Sequence, residues 1–285
     1  MSDGITPDEV EVRVGAAHIS GRLFKTTDSP ERAIVLHPAT GVSQKFYSDF
    51  AHWLANERNA AVLTYDYRGM GMSRGDHPIR SVEIKMSDWG IEDQNAALNY
   101  VCTRFPDLPI WVVGHSLGGM YLRWHESIGR VERVITVCSG PAYFLKHPWS
   151  YMPAVIWFWF IGGPLFTRLK GYMPGKLTGL GSDLPASVYW QWRRFCLSRS
   201  FYWKHLGSAS TNPPPLPESC HMRAVSMADD KTVTPAMVSA LQTLYEGHKI
   251  DFQHVLPSDF GLSRIGHIRV FSKRNAATWP ALIAC

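Results

Sequence analysis

Short apolar runs alternate, over the first half of the chain, with stretches whose apolar residues recur every three or four positions. Residues 18–25, 33–36, 61–65, 110–113 and 134–137 read as strands. Between them, 46–56 carries Phe46, Phe50, Trp53 and Leu54 at helical spacing. A second helix runs from a cap at Ser87 or Asp88 to about Val101, with Ile91, Ala97, Leu98 and Val101 on one side. The rhythm breaks over 141–217, where 153–169 and 187–204 are the helix candidates. Pro213-Pro214-Pro215 then predicts a stiff, extended connector. It resumes with a strand over 221–227, a helix with Thr234 as N-cap and Pro235 at its first position, a strand over 250–255 and a closing helix from about Ile268. Strand and helix in turn predict an α/β protein, its sheet mostly parallel and covered by helices on both faces. The expected division is a core of 1–140 and 218–285 with 141–217 inserted as a helical cap.

Charge sharpens that division. The chain of 285 residues is net +5, yet 141–217 alone is +7 and the remainder −2. The same segment holds six of the eleven tryptophans. Its longest apolar run, 154–166, contains Gly162-Gly163-Pro164 and is expected to be too short to span a bilayer. Five scattered cysteines without a Cys-x-x-Cys pair predict free thiols in a reducing compartment. With an N-terminus that lacks a signal-peptide pattern, they make a cytoplasmic location the expectation.

The candidate chemistry centres on Gly114-His115-Ser116-Leu117-Gly118. This is a Gly-x-Ser-x-Gly between the strand 110–113 and a stretch, 119–124, that reads as helix. A chain that turns sharply there exposes the residue at the bend, and Ser116 becomes a candidate nucleophile. A serine hydroxyl needs a base, and the base needs an orienting carboxylate. Asp229 and Asp230 follow one late strand; His267 follows the last, with His221, His248 and His254 as rivals. Strand ends of one parallel sheet share an edge, which is where such sheets place their sites. There is no His-Glu-x-x-His, no paired Cys/His cluster, no phosphate-binding glycine loop and no arginine-rich tract. Neither metal, cofactor nor nucleic acid is expected.

Four segments in order carry a resemblance. They are His37-Pro38-Ala39-Thr40-Gly41, Asp66-Tyr67-Arg68-Gly69-Met70-Gly71-Met72-Ser73, the serine pentapeptide, and Asp230-Lys231-Thr232-Val233-Thr234-Pro235. The chain resembles the α/β-hydrolase superfamily, in particular its capped esterases, monoglyceride-lipase-like enzymes and bacterial predicted hydrolases. Pro38 stands where the family usually has glycine. The resemblance implies a mostly parallel eight-stranded sheet. It further implies Ser116 as nucleophile, His267 as base, Asp230 as its orienter, and the backbone N–H groups of Leu117 and Ala39 (or Thr40) as oxyanion donors. His37 is expected to buttress the oxyanion loop and His115 to tune the bend or face the pocket. Asp66 and Arg68 are expected to pin a loop together, and Asp229 to be a solvated loop acid.

The expected function is hydrolysis of a small or medium, largely apolar carboxylic ester through an acyl-enzyme. Acyl transfer or thioester hydrolysis by the same groups is the first rival, and a catalytically silent ligand cradle the second. The aromatic, basic segment is expected to roof the serine with an apolar pocket. Its alternative role is to rest on an anionic membrane surface.

Overall fold

The computed structural model describes residues 6–201, 216–245 and 247–284. Val10, Val12 and Val14 alternate with charged residues and form β1 (Asp8–Val14), a strand that the pattern above passed over. It turns at Gly15, where φ is +60°, into β2 (Ala17–Phe24), its antiparallel partner. The remaining large strands are β3 (Arg32–His37), β4 (Ala60–Tyr65), β5 (Ile110–His115) and β6 (Val131–Val137), followed late in the chain by β9 (His221–Met227) and β10 (Ile250–Val255). Two short strands, β7 (Tyr172–Met173) and β8 (Leu184–Pro185), pair with each other outside this sheet. The sheet has eight strands in the order β1-β2-β4-β3-β5-β6-β9-β10, antiparallel only at the β1 and β2 pairings.

Central strands are apolar throughout because both faces are covered. Ala33 and Val35 enter one buried cluster, Ile34 and Leu36 the other. Against the first face lies a continuous helical stretch over 86–104, with a π-helical turn at Trp89–Asp93. Asp88 accepts the Lys85 N–H from the third helical position rather than capping the helix itself. Against the second lie Phe50 and Leu54 of the helix Ser48–Glu57, together with Phe271 and Trp279 from the C-terminal segment.

Two expected helices are replaced by tight turns. After Ser116 the chain makes 3-10 turns at Ser116–Gly119, Leu122–Trp124 and Glu126–Arg130. Gly118 and Gly119 disfavour helix, and Tyr121 leaves helical geometry at φ −113° and ψ 9°. Its buried ring lies flush against Gly90 of the 86–104 helix, so close that a Cβ there would sit 2.2 Å away. The closing segment likewise begins as 3-10 turns at Arg269–Phe271 and Lys273–Thr278, is interrupted by non-helical Asn275, and becomes α-helix only at Trp279–Ile283.

Between β6 and β9 the chain forms helices outside the sheet. Met152–Ile156, a π-helical turn at Trp157–Ile161 and Gly162–Lys170 follow one another without a break and stop at Gly171, whose φ is +73°. With the preceding turn, Trp149–Lys170 makes a helical stretch of 22 residues with an 18-residue window of mean hydropathy 1.2, long and apolar enough to cross a membrane by length and composition. That length corrects the expectation drawn from the shorter run 154–166. The second helix, Ala186–Leu197, ends seven residues before its expected limit at 204. The triple-proline connector lies outside the described residues.

Candidate active site

The bend after β5 is built by steric exclusion. Ser116 adopts φ +55°, in the left-handed region that few non-glycine residues occupy. A Cβ on Gly114 would lie 2.5 Å from the Gly118 carbonyl oxygen, and one on Gly118 would lie 2.1 Å from that of His37. The turn therefore rests directly on the end of β3, and only glycine fits at either position.

Around Ser116 the predicted partners converge. His267 Nε2 is 3.0 Å from Ser116 Oγ, and His267 Nδ1 is 2.7 Å from Asp230 Oδ2. Asp230 is buried, and its Oδ1 accepts the N–H groups of Thr232 (2.8 Å) and Val233 (2.9 Å). Burial alone would raise its pKa. The attraction of His267 and the donors on the carboxylate outweigh that, and the net shift is downward. The rival histidines are engaged elsewhere: His254 with Ser226 and His248 with the Cys220 carbonyl, while His221 is exposed.

Asp229 is not a solvated acid. Its two carboxylate oxygens accept the Ile265 and Gly266 N–H groups at 2.9 Å each, and so clamp the loop that presents His267. Neighbouring acids thus divide the work, one holding the imidazole and the other the backbone that carries it. Asp66 and Arg68 do pin loops, though not to each other. Asp66 accepts the N–H groups of Gln44 (2.7 Å) and Met72 (2.9 Å), while Arg68 pairs with Asp93 (2.5 Å) and Glu92 (2.6 Å).

His115 is buried and joins two loops. Its Nε2 lies 3.0 Å from the His267 carbonyl oxygen and its Nδ1 2.8 Å from Tyr47 Oη. Burial, reinforced by His267, pushes its pKa down to about 3. The ring is therefore neutral, and since a carbonyl only accepts, the proton sits on Nε2. Nδ1 then accepts from the Tyr47 hydroxyl, whose oxygen accepts the Ala39 N–H at 2.9 Å. This last bond corrects the expectation for Ala39, because the phenol already engages its N–H. Thr40, next in the chain, lines the same cavity as Ser116 and Leu117. His37, expected to buttress this loop, bonds Tyr65 Oη at 2.8 Å, while Tyr67 donates to the Pro38 carbonyl at 2.8 Å.

Cys138 belongs to the site as well, although in the sequence it reads only as a buried thiol. It follows β6 directly, with φ +52°. Its sulfur lies within 4.8 Å of ligand atoms of both Asp230 and His267. Burial and then the Asp230 carboxylate raise its thiol well above the ordinary range. The thiol therefore stays protonated and neutral beside the carboxylate. Its place at the carboxyl edge beside β5 was the one available signal. A cation among these three residues would have to displace protons from both Nδ1 and Sγ.

A cavity of about 170 Å³ opens beside Ser116 and His267. From the core come Met86, Leu117 and Met120, and from the segment after β6 come Leu180, Trp192 and Phe201. A second cavity, of about 230 Å³, shares Ala142, Tyr151, Leu180 and Trp192 with the first and continues towards Trp157 and Phe158. A serine, an imidazole and a carboxylate bonded in series can deprotonate the hydroxyl as it attacks a carbonyl, with the carboxylate stabilising the imidazolium.

Sheet, bend and flanking helices together define an α/β-hydrolase. The serine aminopeptidase S33 family model matches residues 28–189, more than half of the chain, and the protein belongs to that family. No curated relative matches the sequence. Among solved structures, the chain is similar to a soluble variant of monoglyceride lipase from Saccharomyces cerevisiae in complex with a substrate analogue (12% identity, TM-score 0.64, 99% of this chain and 97% of that one). It is also similar to an esterase from Pyrococcus furiosus (15%, 0.59, 98% and 88%). A third is a thermophilic esterase from Thermogutta terrifontis (13%, 0.55, 96% of both). At such identities the likeness is one of fold.

The buried imidazoles set an acid limit. Burial holds His37 well below its ordinary pKa, His115 at about 3 and His125 at about 4. On unfolding each returns to about 6.5 and binds a proton. The denatured chain therefore holds more protons than the native one below that pH. Stability from these groups is full above about pH 6.5 and declines towards pH 4, by up to about 1.4 kcal/mol per pH unit per histidine. The urea midpoint is expected to fall steadily across this window, and less steeply in His125→Gln. A midpoint that stays level from pH 6.5 to 4.5 would contradict this account.

Proposed function

We propose that the protein is a serine hydrolase that cleaves a small or medium, largely apolar carboxylic ester. Ser116 Oγ attacks the ester carbonyl while His267 Nε2 takes its proton. The alcohol leaves with that proton, and water then hydrolyses the acyl-enzyme by the same route in reverse. The observation that carries this reading is the unbroken series Ser116–His267–Asp230, at 3.0 and 2.7 Å. Asp230 orients the imidazole and stabilises its cationic form. Residues 141–217 act as the cap: Leu180, Trp192 and Phe201 give the cavity its apolar wall. A reducing, cytoplasmic setting suits the four described cysteines, which are buried and unpaired.

An ester is favoured over a peptide with a free amino terminus, despite the family's description. An ammonium group taken out of water needs a carboxylate beside it. Among the described residues neither cavity wall carries an acid, and the single acid of 141–217, Asp183, accepts the Gly175 N–H.

Wild-type protein is expected to label with a fluorophosphonate and to hydrolyse short p-nitrophenyl esters. Ser116→Ala should lose both while keeping its unfolding transition. Labelling of the alanine variant at the wild-type rate would refute the assignment, and a folded wild type inert to the probe would favour the silent cradle. Offering alcohols or thiols to the acyl-enzyme separates hydrolysis from transfer.

The two acids should separate in kcat. Asp230→Asn should lower it by roughly 10³–10⁴-fold. Asp229→Asn leaves the Ser116–His267 pair intact and should cost much less. The reverse order would reassign the orienting acid.

For the oxyanion, the donors we assign are the N–H groups of Leu117 and Thr40. Replacing the Thr40 backbone amide with an ester should slow turnover by roughly 100-fold or more. The same change at Ala39 should do less. Equal effects would return Ala39 to the role.

A further inference from the structure

The helix Trp149–Lys170 turns its apolar face outward. Nine of the twelve exposed large hydrophobic side chains among the described residues lie between 145 and 177. Trp149, Ile156, Trp157, Phe160, Ile161, Leu165 and Leu169 form a stripe, with Trp149 89% exposed and Leu169 73%. A surface helix of a protein that meets only water shows the opposite pattern. Such a patch marks an interaction site.

Its surroundings select the partner. Lys146 lies before the stripe, and Arg168, Lys170 and Lys176 lie at and beyond its far end, all exposed. Within 141–201 there are seven cations and a single acid, Asp183. Apolar side chains flanked by lysines and arginines, with tryptophan among them, match the headgroup boundary of an anionic bilayer. The opposite side of the helix is committed to the protein. Val155 and Trp159 are buried, and Gly163 packs so closely that a Cβ would lie 2.1 Å from the Phe158 carbonyl oxygen and 2.2 Å from Tyr189 Oη. A helix held in this way lies on a membrane rather than crossing it. Trp157 belongs both to the stripe and to the wall of the second cavity, which continues to the one beside Ser116.

We infer that this face docks on an anionic lipid surface, so that an apolar substrate reaches the cavities from the bilayer. The docking itself does not require the ester-hydrolase reading. It is measured with the full chain carrying Ser116→Ala, mixed with vesicles of phosphatidylcholine alone or with phosphatidylserine. Binding is expected to the mixed vesicles and to fall with salt. Lys146→Glu, Lys170→Glu and Lys176→Glu together should weaken it by about 100-fold, at roughly five-fold per lysine. Trp149→Ser, Ile161→Gln and Leu169→Gln together should weaken it at least tenfold. With Ser116 restored, both triple variants should hydrolyse a water-soluble ester as the wild type does, which shows that they fold.

Failure to bind the mixed vesicles, or equal binding to both kinds, would overturn the inference. So would a dimer that is dissociated by the apolar substitutions, because the stripe would then be an interface between copies. Loss of soluble-ester hydrolysis in Ser116→Ala tests the other proposal and leaves this one standing.

Discussion

One backbone contact sets the rest of the site: the turn after Ser116 rests on the carbonyl of His37, with no room for a Cβ at Gly118. Close approach of turn to strand fixes the distance between β5 and the end of β3. It also holds Ser116 at positive φ, where the hydroxyl reaches His267. The strain is local, and the packing around it is rigid enough to maintain it. The loop after β3 and the loop after β10 then meet the serine from two sides.

Their alignment depends on a buried, neutral imidazole. His115 takes a hydrogen bond from Tyr47 and gives one to the His267 carbonyl, while Tyr47 holds the Ala39 N–H. The direction of these bonds is set by chemistry, since the carbonyl at one end only accepts and the amide at the other only donates. Protonating His115 would put two donors where one acceptor is needed. Asp229 anchors the same His267 loop through two further backbone N–H groups, and the buried Cys138 thiol lies beside Asp230. The proposed proton transfer therefore rests on groups that never touch substrate.

The segment after β6 serves two environments with one helix. Its inner face packs Val155 and Trp159 and reaches the cavities through Phe158; its outer face is apolar and rimmed by cations, and Trp157 sits at the border of the two. Of the four aromatics at 157–160, expected largely to form the core of a cap, Trp159 is buried and Phe158 half-buried, while Trp157 and Phe160 look outward. A π-helical turn through these residues changes which side chains share a face, so a 3.6-residue period misplaces them.

What the chain alone determined were the features decided over a few residues. The period of apolar positions placed β9 and β10 at their observed limits, and Thr234-Pro235 marked where the helix between them begins. The Gly-x-Ser-x-Gly spacing located the bend, because a steric demand at two fixed positions leaves a mark in the sequence. Tertiary structure decided everything that depends on a partner far along the chain. It gave Asp229 to the backbone of the His267 loop and the Ala39 amide to Tyr47, and brought Cys138 to the carboxylate. It also replaced the helix expected after Ser116 with 3-10 turns and pointed aromatics to water. Hydrogen bonding and exposure are settled by which surfaces meet, and local pattern does not record that.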